Sequence, residues 1–197
     1  GMIQNIEEAS EGDVVIIRSH GEPESFYRTA EEKGVALVDS TCVFVTKIHD
    51  IVHKGHAENK GIIIVGNPEH QEVIATNGWC DYRGHILQDR EDAEALAQDH
   101  PELFQAGRKP VIVCQTTFKV EILEEILDVF KGKNYEYELY NTICSATRER
   151  QDACRELAKK VELMVVIGDR HSSNSRKLFE IAKENCKNSI LIQDISD

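Results

Sequence analysis

The chain has 197 residues, enough for one or two domains with a real hydrophobic core at ~150 residues each. Its 23 Lys and Arg against 35 Asp and Glu give a formal charge of −12, which argues against a broad basic nucleic-acid footprint but not against a local basic pocket. With 41% hydrophobic and 29% charged residues the composition is that of a soluble globular chain, and the longest apolar runs, 61–66 and 163–168, fall far short of the ~18–20 residues of a membrane span.

Short β-rich runs alternate with amphipathic stretches. Strands are predicted over 14–18, 35–38, 62–65, 85–88, 111–114, 137–140, 164–167 and 190–192. Between them fall predicted helices over 24–33, 45–59, 72–78, 91–98, 120–131, 148–160 and 174–185. Several strand runs are continuous rather than alternating, as in parallel strands buried on both faces. The alternation, with short connections, predicts an α/β protein of mainly parallel sheets. No Gly-rich linker or low-complexity tract interrupts it, so two or three similar α/β modules are expected, packed with their carboxyl-terminal sheet edges facing one another.

Those edges hold the informative residues. Successive strand ends run into Ser19-His20-Gly21, Asp39-Ser40-Thr41-Cys42, Gly66-Asn67-Pro68-Glu69-His70, Cys114-Gln115-Thr116-Thr117, Asn141-Thr142-Ile143-Cys144, and Gly168 to Ser175. In parallel α/β sheets ligands bind there, where helix N-termini also point. Ser172-Ser173-Asn174-Ser175 opens a helix; one such residue suffices as an N-cap, while four, with Arg170 and His171 before them, suit an anionic oxygen cluster such as phosphate. His20 and His70 follow strands at equivalent places and suit phosphate donation or proton transfer, although a single His in such a place is most often surface or satisfied core. His49, His53, His56, His85 and His100 lack that context and read as solvated. Glu72, two residues after His70, is either a dipole partner of its helix or a proton relay, with Glu69 as competitor.

Six cysteines are spread through a chain that opens Gly-Met-Ile-Gln, without the look of an export signal, so reduced thiols and a cytoplasmic location are expected. No pair has Cys-x-x-Cys spacing, so a zinc ribbon or thioredoxin motif is excluded and any cluster must draw on distant loops. Cys42 and Cys144 each follow a strand and precede a helix, a setting for a small buried hydrophobe or for a thiolate that ligates iron or attacks a substrate. Cys114 shares the strand end, whereas Cys80, Cys154 and Cys186 look structural.

Taken together, Ser19-His20-Gly21, Asp39 to Cys42 with Val45-Thr46-Lys47, the 66–73 stretch, Gln115-Thr116-Thr117, Cys144 to Thr147 with Arg150-Gln151, and Ser172 to Ser175 stand in one order that resembles the 4-hydroxy-3-methylbut-2-enyl diphosphate reductase (IspH/LytB) family over essentially the whole chain. The resemblance implies three α/β modules around a cavity holding a 4Fe-4S cluster bound by three cysteines. It implies two-electron, two-proton removal of the allylic hydroxyl to give isopentenyl and dimethylallyl diphosphate in the methylerythritol phosphate route to isoprenoids. Carried onto this chain, Cys42 and Cys144 are cluster ligands, Glu72 the proton source and Thr116 part of its hydrogen-bond network. His20, His70, Ser172, Ser173 and Asn174 hold the diphosphate. A ferredoxin or flavodoxin is the implied electron donor.

Three departures from the family pattern shape the expectation. No counterpart of the first cysteine loop precedes Ile3, none of the last serine-containing phosphate loop precedes the end at Asp197, and Val43 stands where proline is usual. With Gly1-Met2 read as a cut, the chain is expected to be a central fragment: 1–41 the end of one module, 42–140 a complete second, and 141–197 the first half of a third. Such a piece is expected to be inactive alone and to self-associate through exposed sheet. Cys114 is a weak substitute for the missing ligand, and the alternative function is a diphosphate-binding or interaction module without redox activity.

Overall fold

Among the described residues eight short strands form where the β-rich runs lie, and every pairing among them is parallel. The computed structural model describes residues 1, 3–105 and 107–194, so Met2 and Asp197, on which the expectation of cut ends rests, lie outside it. β1 (Val14–Ile17) pairs with β2 (Ala36–Asp39), and α1 (Glu24–Glu32) makes the crossover between them. A four-stranded sheet follows in the order β4-β3-β5-β6, from β3 (Ile62–Val65), β4 (His85–Leu87), β5 (Val111–Cys114) and β6 (Glu138–Leu139). β7 (Met164–Ile167) and β8 (Ser189–Ile192) make the third sheet.

The helices are α2 (Val43–Ala57), α3 (Gln71–Gly78), α4 (Arg90–Asp99), α5 (Val120–Gly132), α6 (Ser145–Ala158) and α7 (Ser173–Asn185). Helices α2 and α6 begin two and three residues earlier than expected, directly after the N-caps Cys42 and Cys144. Among the described residues no helix is long and apolar enough to cross a membrane.

The chain forms two compact units, Gly1–Gln115 with Ile122–Thr142, and Thr116–Glu121 with Ile143–Asp197. In the first, β3 and β5 are buried along their whole length, as their unbroken apolar runs require of central parallel strands. Ile48 and Val52 of α2 and Val73 of α3 pack on Ile62, Ile64, Val111 and Val113. A smaller cluster of Ile6, Ala9, Ala30 and Val35 lies beneath α1. In the second unit Cys154, Val166, Ile181 and Ala182 form the core. The two-stranded sheets are covered less: Val14, Ile16 and Val38 in one, and Val165, Ile167 and Ile190 in the other, are exposed apolar side chains.

His49, read as solvated, is 3% exposed. It follows Ile48 and precedes Val52 by three positions and follows Val45 by four, so helical geometry puts its ring on the apolar stripe of α2. His85, read the same way, is half-buried on β4, with its ring 4.8 Å from that of His100.

Candidate functional site

In the first unit the carboxyl ends of β1, β2 and β3 each lead into a tight connection. After β1 the chain turns at once: the Gly21 N–H donates to the Arg18 carbonyl at 3.0 Å, and Gly21 has φ +74°. After β2, Asp39 accepts hydrogen bonds from the Thr41 amide at 2.9 Å, from the Thr41 hydroxyl, and from the Tyr27 hydroxyl at 3.0 Å. Burial pushes the Asp39 carboxyl up, but the Thr41 and Tyr27 donors outweigh it and hold it below its ordinary value. This braced turn delivers Cys42 to the start of α2, and the Cys42 N–H donates to the Ser19 carbonyl at 3.1 Å, tying the two strand ends together.

After β3, His70 caps α3 with its ring: Nδ1 accepts from the Glu72 N–H at 3.2 Å. A nitrogen that accepts carries no proton, so in the neutral ring the proton sits on Nε2. The rings of His20 and His70 meet edge to face, with centroids 5.5 Å apart and planes at 85°. Burial, aided by Arg18, lowers the His20 pKa from 6.5, and its Nδ1 is buried without a hydrogen-bond partner. The Glu72 side chain is 3% exposed in the first turn of α3. The unit thus brings together two imidazoles and the start of the helix that carries a buried carboxyl, a set able to donate to anionic oxygens and to move protons.

The second unit collects hydroxyls. Ser172 caps α7, its Oγ accepting from the Ser175 N–H at 3.4 Å. Asn174 Oδ1 is buried without a partner. Ser173 Oγ lies 3.0 Å from Thr117 Oγ1, a residue to which the sequence reading gave no role of its own. The path of the 116–121 segment along α7 makes that contact, and residue type alone does not show it. Gln151, fully buried on α6, donates to the Phe118 carbonyl at 3.4 Å, and the Cys144 N–H donates to the Thr116 carbonyl at 3.0 Å.

Cys42 and Cys144 have nearly superposable backbones, φ −59°, ψ 133° and φ −60°, ψ 133°, and neither uses its side chain to cap its helix. Both are half-buried free thiols at helix starts. Cys114, by contrast, is fully buried, and that burial pushes its thiol up to about 12, against the thiolate a metal needs. Among the described residues no group of three or more His, Cys, Asp or Glu side chains is arranged to hold a metal ion.

Parallel sheets with imidazoles, thiols and hydroxyls at their carboxyl-terminal edges define an α/β protein whose polar groups gather at strand ends and helix starts. More particularly, the family model described as LytB protein matches residues 2–197, and the chain belongs to that family. It is 42% identical over 194 residues to a 4-hydroxy-3-methylbut-2-enyl diphosphate reductase of Thermoanaerobacter sp. (strain X514), a match covering 98% of this chain and 65% of the relative. It is 41% identical over 192 residues to the reductase of the same name from Clostridium acetobutylicum, covering 98% of this chain and 29% of the relative. Among solved structures, the E-1-hydroxy-2-methyl-but-2-enyl-4-diphosphate reductase from Plasmodium falciparum is similar with a TM-score of 0.89 at 29% identity, over 99% of this chain and 60% of that one. The chain therefore spans about 65% of the length of the Thermoanaerobacter relative.

Proposed function

We propose that the protein takes part in reductive removal of the hydroxyl from 4-hydroxy-3-methylbut-2-enyl diphosphate, giving isopentenyl and dimethylallyl diphosphate. The observation that carries this reading is the edge-to-face pair of His20 and His70 at 5.5 Å, with Glu72 two residues into the helix that His70 caps. His70 Nε2–H and the His20 ring donate to diphosphate oxygens, and in the second unit Ser172, Ser173 and Asn174 offer donors of the same kind at the α7 start. The Asn174 side chain, left with an unpartnered buried oxygen, turns its amide to donate when a diphosphate arrives. Glu72 supplies a proton to the departing hydroxyl, which leaves as water, and Thr116 orders that proton path.

The thiols Cys42 and Cys144 fit an iron–sulfur cluster in kind, being free, half-buried and uncommitted to capping, and they would be two of its ligands. Such a cluster, when bound, supplies electrons and a Lewis-acidic iron. A ferredoxin or flavodoxin is the electron donor this chemistry calls for. The alternative, a diphosphate-binding module without redox activity, differs from the reductase in one measurable respect, turnover after reconstitution. Exposed Val14, Ile16 and Val38 on the first sheet support self-association, and a monodisperse monomer by sedimentation would count against it.

The test has two arms. In calorimetric titration with the allylic diphosphate the chain binds saturably, His20→Phe and His70→Phe weaken binding at least about tenfold, and absence of binding overturns the reading. Anaerobic reconstitution with iron and sulfide, followed by turnover with a chemical reductant, then separates the reductase from the binding module. Turnover lost in Glu72→Gln while binding persists supports the proton role.

A further inference from the structure

Among the buried titratable groups, His49 has no part in the chemistry above, yet it lies where three candidate elements meet. It sits on α2 seven residues, two helical turns, beyond Cys42. Its ring stacks on Trp79, with centroids 5.2 Å apart and planes at 20°. Trp79 is the C-cap of α3, the helix that His70 caps at its other end. The indole N–H of Trp79 in turn donates to the Glu22 carbonyl at 3.1 Å, two residues past His20.

The turn carrying His20 is pressed directly on this stack. A Cβ at Gly21 would lie 2.5 Å from His49 Cε1 and 3.3 Å from Nε2, so the backbone approaches the imidazole as closely as only glycine permits. On the other side, a Cβ at Gly78, the last residue of α3, would lie 2.3 Å from Pro23 Cβ. Residues 21–23 are thus held between the ring on α2 and the end of α3. Packing alone does not call for a histidine here: Nε2 is buried without a partner, a polar atom that a phenyl ring would avoid burying.

We propose that His49 is a positioning residue, whose ring, stacked on Trp79 and pressed on Gly21, sets the turn that presents the His20 imidazole edge-on to His70. The inference deepens the diphosphate reading and rests on it for its functional half, because a pair of imidazoles at fixed separation is what spans two phosphate oxygens. Loss of the ring lets the 19–22 turn relax toward α2 and separates the pair. Cys42 and Glu72 keep their places, since the Asp39–Thr41 turn and the His70 cap hold them independently.

The experiment compares His49→Ala and His49→Phe in the intact chain. Imidazole resonances of His20 and His70, assigned by isotope-edited NMR, report the pair without any ligand. His49→Ala is expected to shift both and abolish their mutual cross-peak, while His49→Phe, which keeps an aromatic ring on Trp79, restores them. Diphosphate affinity is expected to fall at least tenfold in His49→Ala and to recover to within about threefold in His49→Phe, against the reach of a misplaced donor. Amide resonances of the central strands 62–65 and 111–114 are expected to stay in place in His49→Ala, which separates a local shift at the turn from a uniformly loosened fold. Gly21→Ala disturbs the same contact from the turn side, and is expected to shift the same resonances if His49→Ala does not fold. Unchanged His20 and His70 resonances in a folded variant overturn the proposal. If the parent chain binds no diphosphate, the functional reading fails, and the resonances still decide the positioning role.

Discussion

Acidification probes the burial of His49 quantitatively. Desolvation lowers the imidazole from 6.5 to about 4, with the Asp39 carboxylate pulling weakly the other way. Between those values the unfolded chain takes up a proton that the folded chain refuses, so the unfolded state gains. The stabilisation is whole above pH 6.5 and is lost as pH falls from there toward 4. In full the gap is worth roughly 3 kcal/mol, and about 2 kcal/mol of it is gone between pH 7.5 and pH 5. Urea unfolding read by Trp79 fluorescence is the natural assay, because Trp79 is the chain's single tryptophan and lies on the His49 ring. At a slope of roughly 2 kcal/mol per molar, the midpoint drops by about 1 M over that pH range. His49→Phe keeps a ring and removes the titrating group, so its midpoint falls only by what the remaining groups contribute. A His53→Asn background removes the other imidazole beside the indole, which meets Trp79 edge-on at 6.0 Å. Parallel pH curves for the parent and His49→Phe would refute the reasoning.

Four further outcomes are expected. Gly21→Ala should lose at least about 1 kcal/mol more stability than Gly12→Ala: both glycines have positive φ, +74° and +86°, but only at Gly21 would the new methyl meet a packed side chain, and equal losses in thermal unfolding would discount that contact. Lys119 pairs with Glu180 at 3.2 Å and Glu184 at 3.0 Å, so Lys119→Met should cost the second unit about 1 kcal/mol after allowance for the half-exposed carboxylates, a gap that narrows in about 1 M NaCl. Iodoacetamide near pH 8 should modify Cys42 and Cys144 before Cys80 and Cys114, whose burial raises their thiols to about 11 and about 12, and early labelling of Cys114 by mass spectrometry would contradict its placement. Affinity for inorganic diphosphate should strengthen as pH falls below 6.5, by up to about tenfold per pH unit for each proton taken up, and His20→Phe should remove that excess over the ligand's own protonation.

Much of the architecture was legible in order and type. Unbroken apolar runs such as Ile62–Val65 and Val111–Cys114 have a single stable placement, at the centre of a parallel sheet, because only there are both faces covered. The placement of Cys42, His70, Cys144 and Ser172 at helix starts was readable as well, since strand-to-helix connections are short, and His70 and Ser172 also satisfy free amides there. That His70 would cap with its ring nitrogen was not, because the residue type alone leaves the tautomer and the rotamer open. Nor was the contact of Thr117 with Ser173, fifty-six residues away.

By itself, then, the sequence determined the parallel α/β class, the succession of strands and helices, and which strand ends carry imidazole, thiol and hydroxyl groups. These follow from local periodicity and capping chemistry, which act over a few residues. Tertiary structure alone decided what those groups do to one another: the His20–His70 edge contact spans fifty residues, and the Trp79–Glu22 bond fifty-seven. It also decided the burial of His49. The Val45–Ile48–Val52 stripe put that ring on the inner face of α2, but whether an imidazole there meets water or an indole depends on where α3 ends, and on a glycine at position 21 that lets the chain come close enough to seal it.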